Sequence, residues 1–307
     1  MGAARLLRCL TRVLDPSQIT AIINVADDMV LHGLSISPDV DTVTYTLADA
    51  IDPERGWGLR DETWRAMEAI GRYGDGDWFS LGDQDLATHM QRTSRLANGA
   101  TLTEVTGEIA SAWGIDVRLL PVSNDLISTR VTRADTGEEI AFQEYFVRHG
   151  HQLEISNVRF AGIEDARITP EVAQAITDAD VIVVAPSNPI VSIAPVLAVP
   201  GMREALANAR APIVAVSPII GGEALKGPAA AMLAELGHES TAVGVAAIWS
   251  DTIDVLLIDD ADSALARDVG RQGVTPYVTD TIMATPQRGA RLARAVLSAG
   301  QLMGSTQ

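Results

Sequence analysis

The chain has one cysteine, Cys9, one lysine, Lys226, and few aromatic residues, 4% of 307. A single cysteine excludes an intrachain disulfide and suits a reducing compartment, so a cytoplasmic protein is expected. Cys9 itself reads as a small core residue of the first helix. Basic charge is scarce: 23 Lys plus Arg stand against 40 Asp plus Glu, a net charge of −17. A general nucleic-acid binder needs a basic face, so that class is excluded, and an anionic membrane surface is no better a partner. No apolar run reaches the length that spans a bilayer, about 20 residues, and no charged-then-apolar signal segment opens the chain. An anionic substrate stays open provided a metal or a cluster of N–H groups holds it. The arginine excess reflects codon usage of a GC-rich genome rather than mechanism.

What is abundant is aliphatic: 47% of the residues are hydrophobic. That suits an Ala/Val/Leu/Ile-packed α/β protein, and the length is enough for one large domain or two small ones. Periodicity predicts a first helix over about 3–14, a strand over Ile19–Val25, and a helix starting near Asp41 and ending before Asp52-Pro53. Helical spacing returns over Asp61–Arg72, Asp83–Ala97 and Thr103–Trp113. Strands are then predicted at Asp116–Leu120, Ile127–Arg133, Glu139–Val147 and Leu153–Phe160, with a turn at Asp135-Thr136-Gly137. From Pro170 the pattern is βαβα, with strands Val181–Ala185, Ile213–Val216, Val255–Ile258 and Thr275–Tyr277 and a closing helix over Gln287–Ala299. Continuous apolar strands are buried on both faces, as in a parallel sheet covered by helices. The expected architecture is therefore a doubly wound α/β core built from 1–50 and 165–307, with 51–164 as a mixed helical and β insertion.

Five loops carry candidate chemistry, each with a plainer alternative. Asp27-Asp28 and the Asp39 and Asp41 of Ser35–Tyr45 crowd one strand-to-helix connection, where α/β proteins bind ligands. Carboxylates there hold a hard cation or accept a proton from an attacking hydroxyl; otherwise Asp41 caps the next helix and the rest are solvated. Gly2-Ala3-Ala4 lets a phosphate approach a helix start, or is a frayed end. Ser187, Asn188 and Ser192 follow a strand and offer hydroxyl and amide groups to a ribose, base or phosphate, or form a proline-stiffened turn. Ser217 to Gly221-Gly222 permits close backbone approach, with Lys226 as a point charge for phosphate, or a surface lysine beside a helix start. Trp57, Trp78 and the Gly82–His89 segment could stack on a flat heterocycle, or pack a core in which His89 is a satisfied buried imidazole. Together these loops suggest a nucleotide-type ligand and a cation.

Taken as an ordered set, the motifs resemble the 2-phospho-L-lactate transferase family of coenzyme F420 biosynthesis. They are Asn24-Val-Ala-Asp-Asp28, Gly33-Leu-Ser-Ile-Ser-Pro-Asp-Val-Asp-Thr42, Gly56-Trp-Gly58, Trp78-Phe79 with Leu81-Gly-Asp-Gln-Asp-Leu-Ala-Thr-His89, Phe142-Gln-Glu-Tyr-Phe-Val147, Ala185-Pro-Ser-Asn-Pro189 and Ser217-Pro-Ile-Ile-Gly-Gly222 with Lys226-Gly-Pro228. The resemblance implies a Rossmann-like sheet and transfer of a lactyl- or enolpyruvyl-phosphoryl group from a guanosine diphosphate diester to the ribityl hydroxyl of the deazaflavin Fo. GMP leaves, and Mg²⁺ is required. It implies Asp41, with Asp39 and Asp28, as metal ligands, and one of these aspartates, Asp41 in the first place, as the catalytic base. Gly2, Ala3, Ser187, Asn188, Ser192, Ser217, Gly221, Gly222 and Lys226 would hold the nucleotide, and Trp57, Trp78, Asp83 and His89 would line the acceptor end. A homodimer is expected. Family members begin with a strand entering a Gly-Gly-Val-Gly-Gly-Ala loop, whereas this sequence starts inside that loop, so the first strand is expected to be missing, through a start assigned too late. The alternative is a non-catalytic nucleotide-sugar-binding regulator of the same wider superfamily. A dinucleotide oxidoreductase lacks support, because no complete glycine fingerprint with its ribose-binding acid is present.

Overall fold

The computed structural model describes residues 2–74, 78–224 and 227–304. The chain divides into two compact units, one of Thr20–Thr169 and one joining Gly2–Ile19 to Pro170–Gln307. Residues 20–50 and 51–169 fall in the same unit. Lys226 lies outside the described residues.

Helix α1, Gly2–Leu10, opens the chain and belongs to the second unit. Among the described residues the first unit holds three small sheets. Strand β1 (Thr20–Ile23) pairs in parallel with β4 (Arg118–Pro121), Thr20 opposite Arg118. Strands β2 (Met29–Leu31) and β3 (Leu34–Ile36) form a hairpin. Strand β5 (Ser128–Arg133) is flanked by β6 (Glu139–Ala141) and β7 (Ile155–Ala161) in an antiparallel sheet. Helices α2 (Pro38–Leu47), α3 (Arg65–Ile70), α4 (Asp85–Ala97) and α5 (Leu102–Ala112) connect them. Helix α5 starts at Thr101 with a capping box: Glu104 N–H donates to the Thr101 hydroxyl at 3.2 Å, and Thr101 N–H to the Glu104 carboxylate at 2.7 Å.

The second unit is a four-stranded parallel sheet. Its strands β8 (Ile182–Val184), β9 (Ile213–Val216), β12 (Val255–Ile258) and β13 (Thr275–Val278) lie side by side in chain order. A small hairpin, β10 (Ile219–Ile220) and β11 (Glu223–Ala224), follows β9. Every residue of β9 and β12 is buried, which is why both read as unbroken apolar runs. The helices are α6 (Pro170–Thr177), α7 (Ala194–Ala198), α8 (Met202–Ala207), α9 (Ala229–Glu235), α10 (Ala242–Trp249), α11 (Ala266–Arg271) and the long α12 (Pro286–Gly304). Helix α12 packs on β9 and β12, and α1 packs on α12. The α/β class with parallel, helix-covered strands is as expected.

Three local expectations are corrected. The strand expected over Glu139–Val147 ends at Ala141, and Glu144–Arg148 turns as a wide helix, burying Tyr145 and stacking Phe142 on Phe146 at 5.6 Å. The hairpin Met29–Ile36 was not anticipated; its turn places His32 and Gly33 at φ 52° and 77°. Helix α2 begins at Pro38 with Ser37 as N-cap, so Asp41 is not the cap. The Asp41 N–H already donates to the Ser37 carbonyl at 2.9 Å, placing Asp39 and Asp41 inside the first turn.

Candidate functional site

In the first unit, the loop after β1 and the first turn of α2 gather four aspartates. Proline at the first helical position pre-sets the backbone, and carboxylates in a helix's first turn face its positive end. Ser37 leaves its capping role unfilled: its hydroxyl donates to Asp28 Oδ2 at 2.7 Å. Asn24, buried at the end of β1, turns its amide to Asp39 Oδ2 at 3.0 Å while its carbonyl oxygen accepts the Ala26 N–H at 3.0 Å. Asp27 is buried, and Oδ1 of both Asp27 and Asp28 is enclosed with no hydrogen-bond partner among the described residues. Burial pushes the carboxyls of Asp27 and Asp28 well above the usual range, with the Asp39 charge adding to both.

Asp41 is held differently. Both its oxygens accept N–H groups from Arg92 on α4, a bidentate pair in which Arg92 is fully buried and Asp41 5% exposed. The same guanidinium donates to the Ser35 carbonyl at 3.3 Å and lies 3.3 Å from His89 Nδ1. On its other side His89 Nε2 is 3.1 Å from Asp85 Oδ2. Asp85 in turn accepts the Tyr45 hydroxyl, which meets Thr88 Oγ1 at 2.8 Å. Burial raises the Asp41 carboxyl against the pull of Arg92 and His89, and burial with the charges of Asp41 and Asp85 raises the Tyr45 phenol.

Among the described residues one group brings three ligand atoms close enough for a cation. Ligand atoms of Asp41, Asp85 and His89 lie within 4.8 Å of one another. Those atoms already face Arg92 and Tyr45, and a guanidinium beside a divalent cation is repulsive. Asp27, Asp28 and Asp39 stand apart from that group: Oδ1 of Asp27 and of Asp28 is enclosed, and among the described residues neither has a hydrogen-bond partner, while Asp28 Oδ2 and Asp39 Oδ2 accept Ser37 and Asn24 and the Arg92 charge reaches Asp28. Carboxylate oxygens are the donor type that Mg²⁺ takes. Sequence reading missed Arg92, Asp85 and Tyr45 as members of this centre. A signal existed: Asp85, Thr88, His89 and Arg92 follow i, i+3, i+4, i+7 spacing, a polar stripe along the buried face of α4.

The other residues expected in this unit each pack or bond locally. Asp83 caps α3, accepting Arg65 and Ala66 N–H groups at 3.1 and 3.0 Å. Buried Glu62 accepts the Gln84 N–H at 2.8 Å at the start of α4. Trp57 is 45% exposed, and Arg55 sits over its ring at 5.4 Å and over Trp64 at 4.9 Å. Trp78 packs edge-on to Phe79 at 5.7 Å. His89 is 1% exposed and faces Asp41 and Asp85 rather than an open surface.

In the second unit, the expected loops follow strands of the parallel sheet. Gly2 approaches so closely that a Cβ there would sit 2.2 Å from the Pro186 carbonyl oxygen, bringing the start of α1 against the loop after β8. Asn188 caps the turn after β8 through Ile190 N–H at 2.9 Å, and Ser192 N–H donates to the Asn188 carbonyl at 3.1 Å. After β9, the buried Ser217 hydroxyl donates to the Ile219 carbonyl at 2.8 Å, and Gly221-Gly222 turn the hairpin at φ 61° and 83°.

The model of the 2-phospho-L-lactate transferase CofD family matches residues 1–297. The chain belongs to this family. A phosphoenolpyruvate transferase of Mycobacterium avium is 46% identical over 273 residues, covering 86% of this chain and 81% of that protein. A phosphoenolpyruvate transferase of Mycobacterium ulcerans is 43% identical over 290 residues, covering 91% and 87%. A crystal structure of a UPF0052-family protein from Bacillus halodurans aligns with TM-score 0.64 and 18% identity over 97% of this chain and 96% of that one, a likeness of fold. As a CofD-family member the chain is a transferase of coenzyme F420 biosynthesis. Among the described residues no helix is long and apolar enough to cross a membrane.

Proposed function

We propose that this CofD-family chain transfers an enolpyruvyl- or lactyl-phosphoryl group from the corresponding guanosine diphosphate diester to the terminal ribityl hydroxyl of the deazaflavin Fo. The hydroxyl oxygen bonds to the acid-bearing phosphorus, the bond from that phosphorus to the bridging oxygen breaks, and GMP departs. The names of relatives at 43–46% identity favour enolpyruvate as the acid. The observation that carries the reading is the acid cluster with its unpartnered buried oxygens, a feature that costs stability unless a cation or a proton neutralises it.

Phosphoryl transfer depends on positioning and charge neutralisation more than on covalent help. Asp28 and Asp39, with Asp27 behind them, would hold Mg²⁺, which when bound supplies charge neutralisation at the diphosphate. Asp41 is assigned to fixing Arg92, because both its oxygens carry that guanidinium. The ribityl proton goes to a carboxylate oxygen of the Asp28–Asp39 cluster. Gly2, Ala3, Ser187, Asn188, Ser192, Ser217, Gly221, Gly222 and Lys226 would hold the guanosine diphosphate portion, and Trp57 and Trp78 the deazaflavin. A cytoplasmic homodimer completes the reading.

The test is to incubate the protein with Fo, Mg²⁺ and either the enolpyruvyl or the lactyl diphosphoguanosine, and to follow GMP and the new phosphodiester. GMP release that needs both Fo and Mg²⁺ is expected, faster with the enolpyruvyl donor. Asp28→Asn or Asp39→Asn should each slow turnover on the order of 100-fold. GMP release independent of Fo, or variants that turn over normally, would overturn the assignment.

A further inference from the structure

Gly221 and Gly222 form the tip of a hairpin whose strands are only two residues long, too little to hold a turn by itself. Two outside groups fix it. The Gly221 N–H donates to both oxygens of Asp262 at 3.1 Å, and the Ser240 hydroxyl donates to the Gly222 carbonyl at 3.1 Å. Asp262 lies in the 3₁₀ turn Asp260–Leu265 after β12 and is 6% exposed. On its outer side Gly221 is exposed, and a Cβ there would meet nothing within 4 Å.

A glycine turn that binds phosphate does so with free N–H groups. Here the Gly221 N–H is already occupied, by a buried carboxylate. A phosphate placed on this tip would find no Gly221 donor and a negative charge directly behind the backbone. Groups that donate hydrogen bonds, by contrast, meet a turn backed by the Asp262 carboxylate, under a favourable field. We infer that Asp262 is a positioning residue that commits the Gly221-Gly222 turn to the nucleoside end of the nucleotide, a ribose hydroxyl or the base N–H groups, and away from the diphosphate. The inference rests on the proposed reading of the Ser217–Gly222 loop as part of the nucleotide site.

Titration calorimetry on the full chain with GMP and, separately, with inorganic pyrophosphate tests it. Asp262→Ala should weaken GMP roughly tenfold, the loss of one hydrogen bond to a charged group, while pyrophosphate affinity holds or rises. Asp262→Asn, which keeps an acceptor for Gly221, should restore most of the GMP affinity, and Ser240→Ala should weaken GMP in the same direction. In turnover, Asp262→Ala should raise KM for the donor with kcat little changed. Inosine monophosphate and 2′-deoxy-GMP separate the two donors. Loss of the preference for GMP over inosine monophosphate in Asp262→Ala assigns the base, and loss of the preference over 2′-deoxy-GMP assigns the ribose. Parallel losses of GMP and pyrophosphate, unchanged GMP binding, or an Asn variant as weak as the Ala variant would overturn the inference. Failure of the wild-type chain to bind GMP at all would overturn the nucleotide-site reading with it.

Discussion

Removing the Arg92 side chain would leave Asp41 buried at 5% exposure with neither oxygen paired to its cation. Breaking a buried ion pair on one side costs about 3–5 kcal/mol, because the surviving charge keeps its desolvation penalty. Arg92→Met should therefore lower unfolding stability by about that amount in urea titration. The double variant Arg92→Met, Asp41→Leu should recover much of the loss, since an apolar pair of similar volume carries no such penalty. An Arg92→Met chain as stable as wild type would mean that Asp41 is neutral in the fold. Arg92 also shows why single residues were the hardest level to read from sequence. An arginine in a polar helix is ordinarily solvated, and only its place seven, four and three residues after Asp85, Thr88 and His89, together with α4 lying against β3, marks it as internal.

Elements were more legible, and unevenly so. Strands β9 and β12 were readable because burial on both faces leaves no polar position to interrupt the run. The hairpin Met29–Ile36 was not, because strands of three residues offer too little alternation and its turn uses a histidine at positive φ. The N-terminus of α2 lies three residues before the expected Asp41, because Pro38 takes the first helical position after Ser37. Helix packing gives a prediction at this scale. A Cβ on Gly289 of α12 would stand 2.3 Å from Cys9 Sγ of α1, so the lone cysteine of the chain seats one helix on the other. Gly289→Ala should destabilise by about 1–3 kcal/mol through overpacking, and Cys9→Ala in the same chain should return part of it. A thermal melt of the two single variants and the double decides: strict additivity would show that the helices separate freely enough to absorb the methyl. At the start of α5, Thr101→Ala should cost about 1 kcal/mol by removing a capping box, measurable by the same melt.

For the whole molecule, the excess of acid matters through the few carboxylates that are enclosed. A group whose folded pKa lies above its unfolded value binds its proton more tightly in the fold. Its stabilisation is complete below the unfolded carboxylate value, about 4, and is lost as pH rises through the raised folded value. Asp27 and Asp28 are of this kind, burial being the main cause. Asp83, lowered by its bond from Thr63, and Asp280, lowered by its pair with Arg288, have the opposite sign: their contribution is present at neutral pH and fades as pH falls through their lowered values. The stability curve of the protein mixes both signs, so the difference between wild type and Asp27→Asn isolates the buried site. In the presence of EDTA the two should melt together near pH 4, and the variant should melt higher at pH 8, by roughly 2–4 °C for each kcal/mol of enclosed charge relieved. On the proposed reading magnesium binds the folded cluster and not the unfolded chain, so it should raise the wild-type melting temperature by mass action and the variant's by less. Identical pH profiles in EDTA would mean that Asp27 carries its charge in the fold without penalty, and the cluster would then have no unmet demand for a cation.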